Sequence, residues 1–337
     1  MSYERGIAAF NLQAPPEIPH TQYITHPQWR QQLCRDLGKL DADWPELLDF
    51  DFVWYTDGPY IDRGRWTDMG HAVFQADGED FRRPTDSPFH DLEEIYSLDP
   101  VAEYGLVDED EQAARYQAWW QEARKGDYVV PGGLYRSVVS FAIAAFGWEN
   151  LLLAAGTDPQ RFGEVLNRWA DYLMTYVRAW ARTDIEVFHS HDDLVWTSGP
   201  IFSPEFYRSY VYPNLRRYWQ CAKDAGKKVL FTSDGGYTAL MDDLAALGAD
   251  GFVFEPTTDL DYAVQRFGQT HVLIGNADCR VLTFGSQQDV YDEVKRCMDL
   301  GRDCPGYLFA VGNHIPPNVP LANAQACIDA YREMRRR

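Results

Sequence analysis

Short apolar runs alternate with amphipathic stretches through the second half of the chain. The runs Ile185–His189, Lys228–Thr232, Gly251–Glu255, Val272–Gly275 and Tyr307–Val311 are rich in β-branched and aromatic side chains. Their length and composition suit strands buried on both faces of a parallel sheet. Between them the spacing predicts helices. Residues 160–183 put Phe162, Val165, Leu166, Trp169, Leu173, Tyr176, Val177 and Trp180 on one stripe. Asp158-Pro159 and Ser203-Pro204 are cap-then-proline starts. Further helices are expected near 204–226, 238–248, 259–267, 287–301 and 321–336. Strand and helix alternate without paired hairpins, the pattern of a parallel α/β fold. No G-x-G-x-x-G follows an early strand, which counts against a doubly wound dinucleotide-binding sheet. A single (β/α)8 barrel over residues 1–337 is the expected architecture.

The first third is less regular. Residues 1–50 read as an N-terminal arm, marked by Pro15, Pro16 and Pro19, with a helix near 27–39. Residues 51–126 read as a first strand, Asp51–Tyr55, then a weakly periodic lid-like insertion over the barrel mouth and a helix at 110–126. Residues 127–337 hold the rest of the barrel.

Composition narrows the chemistry. With 31 basic and 51 acidic residues the net charge is −20, which leaves no footprint for nucleic acid or an anionic membrane surface. At 45% hydrophobic and 15% aromatic residues, the 337-residue chain can bury a large core. Its six cysteines are scattered with no C-x-x-C pair, so they read as reduced thiols in a cytoplasmic protein. No apolar run approaching the roughly 18 residues of a membrane helix is apparent.

Catalytic groups of an α/β barrel sit at the C-terminal ends of its strands. The residues that follow each apolar run are Asp57; His189, His191, Asp192 and Asp193; Ser233 and Asp234; Glu255; Asn276 and Asp278; and Asn313 and His314. Each has a structural alternative. Asp234 before Gly235-Gly236 suits a turn, and Asp259 suits a helix cap. Adjacent Asp192 and Asp193 cannot both point inward, so one is expected to cap. One of His189 and His191 suits the core, and Asn276 suits a backbone-binding role. Six carboxylates on one rim (Asp57, Asp192, Asp193, Asp234, Glu255, Asp278) repel each other unless a metal, a cationic substrate or a shared proton offsets them.

Several motifs occur in order: Gly132-Gly133 before an apolar helix, His191-Asp-Asp-Leu, Ser198-Gly-Pro with Ser203-Pro-Glu, Lys228-Val-Leu-Phe-Thr-Ser-Asp-Gly, Gly248-Ala-Asp-Gly, Ile274-Gly-Asn-Ala-Asp and Pro320-Leu-Ala-Asn. As a set they resemble the uroporphyrinogen decarboxylase superfamily, which includes cobalamin-dependent methyltransferases. The resemblance implies a (β/α)8 barrel with its site at the strand ends. True decarboxylases carry an arginine-rich R-Q-A-G-R-Y signature; here Tyr23–Arg30 has no such pattern, although Asp57 matches the essential aspartate. The thiol-methylating branch binds zinc through H-x-C, where this chain has Thr232-Ser-Asp234. The methyl ether demethylase-like branch uses carboxylate and histidine ligands, and Asp278, Glu293 and His314 resemble its ligand spacing.

The expected function is therefore transfer of a methyl group from a small O-methyl or N-methyl substrate to a separate corrinoid protein. A decarboxylase of a small carboxylic acid, anchored by Arg136 and Arg280, and a non-catalytic ligand-binding protein are the alternatives. Asp57, Asp193, His191, Asn276 and Asp278 are the expected catalytic residues. Tyr55, Tyr135, Trp196, Phe254 and Asn313 are expected to line the substrate slot. Asp234, Glu255 and His314 are expected to hold zinc, with cobalamin on the partner protein. The sequence also leaves a homodimer open.

Overall fold

A computed structural model describes residues 2–55, 59–67, 69 and 86–337. Asp57 lies outside the described residues. Six parallel strands form the central sheet: β1 (Gly132–Leu134), β2 (Val187–His191), β5 (Lys228–Ser233), β6 (Gly251–Phe254), β7 (Val272–Ile274) and β8 (Tyr307–Leu308), ordered β1-β2-β5-β6-β7-β8. Between β2 and β5, β3 (Val195–Trp196) and β4 (Gly199–Pro200) make a small antiparallel hairpin.

Two extended segments close the sheet. His20 bridges Phe309 in parallel, and Phe52 bridges Val129 in parallel. The Asp51 amide donates to the His20 carbonyl, which links the two segments to each other. The circuit is a (β/α)8 barrel of eight staves, six of them the regular strands above. The segment around His20, expected in an N-terminal arm, is one of the staves. The expected strand Asp51–Tyr55 contracts to the bridge at Phe52.

Side-chain parity divides the barrel interior from its outer layer. Val187, Leu230, Val253, Val272, Ile274, Leu308 and Ala310 pack together inside, with Ala9 and Phe10 of the helix Tyr3–Phe10 packed against them. Their neighbours Phe188, Phe231, Phe252, Phe254, Leu273 and Tyr307 pack instead with the surrounding helices. An apolar floor therefore lies inside the barrel below the strand ends. Gly133 of β1 has no room for a side chain, because a Cβ there would meet the His189 carbonyl oxygen at 1.9 Å. That close approach explains why this strand shows no apolar run.

The expected helices are present, with local differences. The segment near 204–226 is a short helix, Pro204–Phe206, then a π-helical turn at Tyr207–Val211 and the helix Tyr212–Asp224. The helix Val139–Thr157 is the one helix among the described residues long and apolar enough to cross a membrane, contrary to the expectation of no such run. Most of that apolar stretch is buried in the protein, and it breaks at Gly147, where φ is 73°. Described parts of the expected lid-like insertion pack against the outer helices. Thr67 bonds to the carbonyls of Ile143 and Ala144, and Tyr96 to that of Ala154.

His20 is fully buried in its stave. Its Nε2–H donates to the Leu48 carbonyl oxygen at 2.9 Å, and its ring stacks on Tyr331 at 4.3 Å. Burial pushes its pKa down from 6.5 to about 3. The unfolded chain thus takes up a proton below pH 6.5 that the fold refuses. The stabilising effect is complete above pH 6.5 and is lost progressively as pH falls toward 3, by about 1.4 kcal/mol per pH unit. At pH 5.5, His20→Gln should lower proton uptake on unfolding by about one relative to wild type. Calorimetric unfolding in buffers of different ionisation enthalpy measures this directly; equal uptake would overturn the assignment.

Candidate active site

Strand β2 carries Val187, His189 and His191 on its inward face, and Leu230 and Thr232 of β5 lie beside them. His189 sits lower, with Nε2 bonded to the Thr232 hydroxyl and its ring edge-on to Trp54. His191 sits above it at the mouth. Its Nε2 lies 3.1 Å from Asp193 Oδ1. The Tyr135 hydroxyl donates to Asp193 Oδ2 at 3.0 Å, as does that of Ser140 at 3.3 Å. The Asp193 amide donates to the Ser140 Oγ at 2.6 Å, and the Asp234 amide to Asp193 Oδ1 at 3.2 Å. Asp193 is the hub of the mouth.

Asp192 does different work. Its buried carboxylate accepts N–H bonds from Val138 (3.0 Å), Val139 (2.9 Å) and Ser140 (2.7 Å). The helix Val139–Thr157 has no side-chain cap of its own, so Asp192 satisfies its free amides from the neighbouring strand end. The chain direction changes after His191, which lets one aspartate turn to the helix and the next into the mouth.

His191, Asp193 and Asp234 offer ligand atoms that all lie within 4.8 Å of one another. His191 and Asp193 are buried, whereas Asp234 opens to solvent at the mouth. Burial alone would lower the His191 pKa, but the Asp193 charge and hydrogen bond outweigh it and raise it. Burial likewise opposes ionisation of Asp193, yet His191 holds its carboxyl below the usual range. The pKa of Asp234 is raised, first because protein surrounds it within the mouth and then by the Asp193 charge. Two close carboxylates thus share a histidine and a labile proton. The buried His191 Nδ1 has no hydrogen-bond partner among the described residues. One imidazole and two carboxylates, with a ring nitrogen unsatisfied, form a donor set suited to a divalent cation such as zinc.

The other expected residues lie elsewhere or do other work. Glu255 is not in the three-residue group: its Oε2 accepts from the Gly235 amide at 2.6 Å and its Oε1 from Asn313 Nδ2 at 2.7 Å. His314 is likewise outside the group, with Nδ1 2.6 Å from Asn313 Oδ1. Asn313 thus spans Glu255 and His314, and its side chain also bonds to Asp234. Asp278, expected to be catalytic, caps the helix Cys279–Phe284 and pairs with the Arg280 guanidinium at 2.6 Å. Asn276 is buried and donates to the carbonyls of Glu255 and Thr258. Phe254 precedes inward-facing Glu255 and so must face the outer helices, where it packs near Tyr237. Tyr55 packs outward on Trp119 (4.3 Å) and Trp180 (6.0 Å). Trp196 stays at the rim on the β3–β4 hairpin, half-exposed and 4.8 Å from Trp148. Ser140 was not anticipated, because its contact with Asp193 depends on how the helix docks.

A closed parallel barrel with a histidine–carboxylate centre at its strand ends defines an enzyme-type α/β barrel. The family model for uroporphyrinogen decarboxylase (URO-D) matches residues 122–334, so the chain belongs to the uroporphyrinogen decarboxylase family. The uroporphyrinogen decarboxylase of Syntrophotalea carbinolica is 29% identical over 177 residues, 52% of this chain and 50% of that protein. The match thus spans about half the length of that relative. The uroporphyrinogen decarboxylase of Pseudoalteromonas atlantica is 25% identical over 281 residues, 79% of this chain and 74% of that one. A solved methyltransferase from Methanosarcina mazei shares the fold, with a TM-score of 0.64 at 17% identity over 98% of this chain and 97% of that one.

Removing the Asp192 carboxylate leaves three buried amides without an acceptor. Asp192→Ala should destabilise the protein by on the order of 3 kcal/mol. Urea unfolding measures the loss; a change below about 1 kcal/mol would show that the helix start is satisfied in another way.

Proposed function

We propose that this protein removes a methyl group from a small O-methyl or N-methyl substrate at the His191–Asp193–Asp234 centre and passes it to a corrinoid held by a separate protein. The observation that carries this reading is the make-up of the centre, one histidine and two carboxylates. Among the described residues, no arginine or lysine hydrogen-bonds to His191, Asp193 or Asp234. With no such side chain to bind it, a substrate carboxylate beside Asp193 is disfavoured, and a neutral or cationic substrate is favoured.

Breaking a methyl–oxygen bond leaves the electron pair on oxygen, which needs a proton or a cation at that moment. Asp234 opens to the mouth and keeps its proton to higher pH than an ordinary carboxyl, so it is placed to protonate the departing oxygen. Tyr135 and His191 hold Asp193, whose charge keeps that proton on Asp234. His191, Asp193 and Asp234 would be the residues that hold zinc; Asp234 would then be ionised, and the metal would supply a Lewis acid for that oxygen in place of the proton. The methyl carbon bonds to the nucleophile of the acceptor, and the demethylated alcohol or amine leaves. Trp196 and Trp148 provide an aromatic wall at the rim.

Decarboxylation of a small acid is the second reading, favoured by the names of the curated relatives. Of the two arginines expected to anchor its carboxylate, only Arg136 lies near the centre, where its charge acts on Tyr135, the donor to Asp193. Arg280 is bound to Asp278, and the Arg136 guanidinium lies 4.7 Å over the Trp66 ring.

Metal binding, methyl transfer, carbon dioxide release and porphyrinogen binding test these readings. Zinc titration of the purified protein should give one equivalent. His191→Ala, Asp193→Asn and Asp234→Asn should each abolish it, whereas Glu255→Gln and His314→Ala should retain it. Methyl transfer from methoxylated aromatics or methylamines to free cob(I)alamin should fall at least about 100-fold in Asp234→Asn. Carbon dioxide release from small acids without methyl transfer would establish the second reading instead. Calorimetry should show no binding of uroporphyrinogen; a micromolar Kd would overturn the charge argument.

A further inference from the structure

A groove of about 990 Å³ crosses the outer wall of the barrel, formed by three helices: Pro159–Ala181, Tyr212–Asp224 and Met241–Leu247. None of its lining residues belongs to the mouth centre. Met174, Tyr212, Pro213 and Leu247 make an apolar floor, and Arg208 and Arg216 stand on its border. The volume is that of a small-molecule site.

The charges on this groove are unusual for the chain. Neighbouring arginines on the same wall are engaged: Arg161 with Glu93, Arg178 with Glu109, Arg182 with Asp110, and Arg217 with Asp171. Arg208 and Arg216 have no ion-pair or hydrogen-bond partner among the described residues. Two carboxylates also line the groove and keep their charge: Asp243 accepts from the Tyr212 hydroxyl and Asp224 from Gln220 Nε2 at 2.6 Å, so Arg208 and Arg216 are free of direct partners among the described residues but share the groove with two acids. In a protein of net charge −20, the groove therefore offers two unengaged guanidinium groups beside an apolar floor. Arg208 also lies in the π-helical turn Tyr207–Val211, an irregularity that is rare and often marks a functional position. The wide turn is held open from behind: Asn214 Nδ2 donates to the Tyr210 carbonyl and to Asn167 Oδ1.

We propose that this groove binds a small amphipathic anion, with a carboxylate, sulfonate or phosphate head between Arg208 and Arg216 and an apolar body on Met174, Tyr212, Pro213 and Leu247. Guanidinium groups suit such heads because their N–H donors match two oxygens at once. The apolar floor adds affinity that a bare anion lacks. The inference does not depend on the chemistry at the mouth.

Isothermal titration of the full chain with decanoate tests it, with decyltrimethylammonium and acetate as controls of charge and of chain. Decanoate should bind at one site, acetate should not, and the cationic amphiphile should bind at least tenfold more weakly. The double variant Arg208→Gln/Arg216→Gln alters only exposed side chains and should weaken decanoate at least tenfold with the thermal midpoint unchanged. Ala246→Trp, which fills part of the groove and leaves both arginines in the chain, should weaken it as well. Asp234→Asn should leave it unchanged, so the result is separate from that of the mouth site. Absence of decanoate binding, equal binding of the cationic amphiphile, or insensitivity to both groove variants would each overturn the proposal.

Discussion

The bond between the Asp192 carboxylate and the start of the helix Val139–Thr157 is the interaction on which the site depends. It joins the end of β2 to the first turn of an outer helix through three amide donors, all buried. Burial outweighs those amides and pushes the Asp192 pKa up to about 6, so holding the charge there has a cost. The return is position. With the helix start fixed, Ser140 meets Asp193 from two directions, donating to its carboxylate and accepting from its amide. Ser137 makes a further tie by donating to the His191 carbonyl oxygen at 3.0 Å. His191 and Asp193 are thereby held by backbone geometry, which is the kind of support a preorganised site requires.

Barrel parity distributes the remaining work. Along β2 the inward positions run from Val187 through His189 to His191, and along β5 from Leu230 through Thr232 toward Asp234. Each inward row changes from apolar to polar toward the strand ends. The floor is closed by Phe10 and its neighbours from the N-terminal helix, so the interior is packed and polarity is confined to the mouth. His189 occupies the transition: it is buried and, with its pKa pushed down to about 3, neutral, and it bonds to Thr232. It supports the layer above without adding to its charge.

The same parity explains which parts of the structure are legible in the sequence. The later strands are readable because both their faces are buried, which makes them unbroken apolar runs. The helix with a stripe from Phe162 to Trp180 is readable for its 3.6-residue period. The stave at Phe52 is readable from the run Asp51–Tyr55, although only a bridge forms there, whereas the stave at His20 is not, since an isolated bridge among polar residues carries no strand pattern. Glycine-rich β1 is hidden for a steric reason, the closeness of the His189 backbone. At the mouth, residue types and strand ends point to the rim where His191, Asp193 and Asp234 gather, but the sequence contains no statement of register across the barrel. That register brings Asp234 to Asp193, while local bonds draw Glu255 to the Gly235 amide and Asp278 to its own helix. Phe254 and Glu255 show the limit most simply: consecutive positions at a strand end point to opposite faces, so Glu255 turns to the mouth and Phe254 to the outer helices.

Charge placement links the two concave regions of the molecule. At the mouth, two close carboxylates and a histidine make a cluster in which Asp193 raises the pKa of both His191 and Asp234. The outer groove is lined by two arginines without a direct partner among the described residues, Arg208 and Arg216, beside the carboxylates of Asp224 and Asp243. Attraction between such exposed charges is screened beyond about 8 Å at physiological ionic strength, so each region acts on ligands by its own local charges. The barrel keeps them apart by putting one at the strand ends and the other on the helices outside. One chain of strongly negative net charge can therefore present opposite selectivities, because a ligand responds to the few charges it reaches more than to the total.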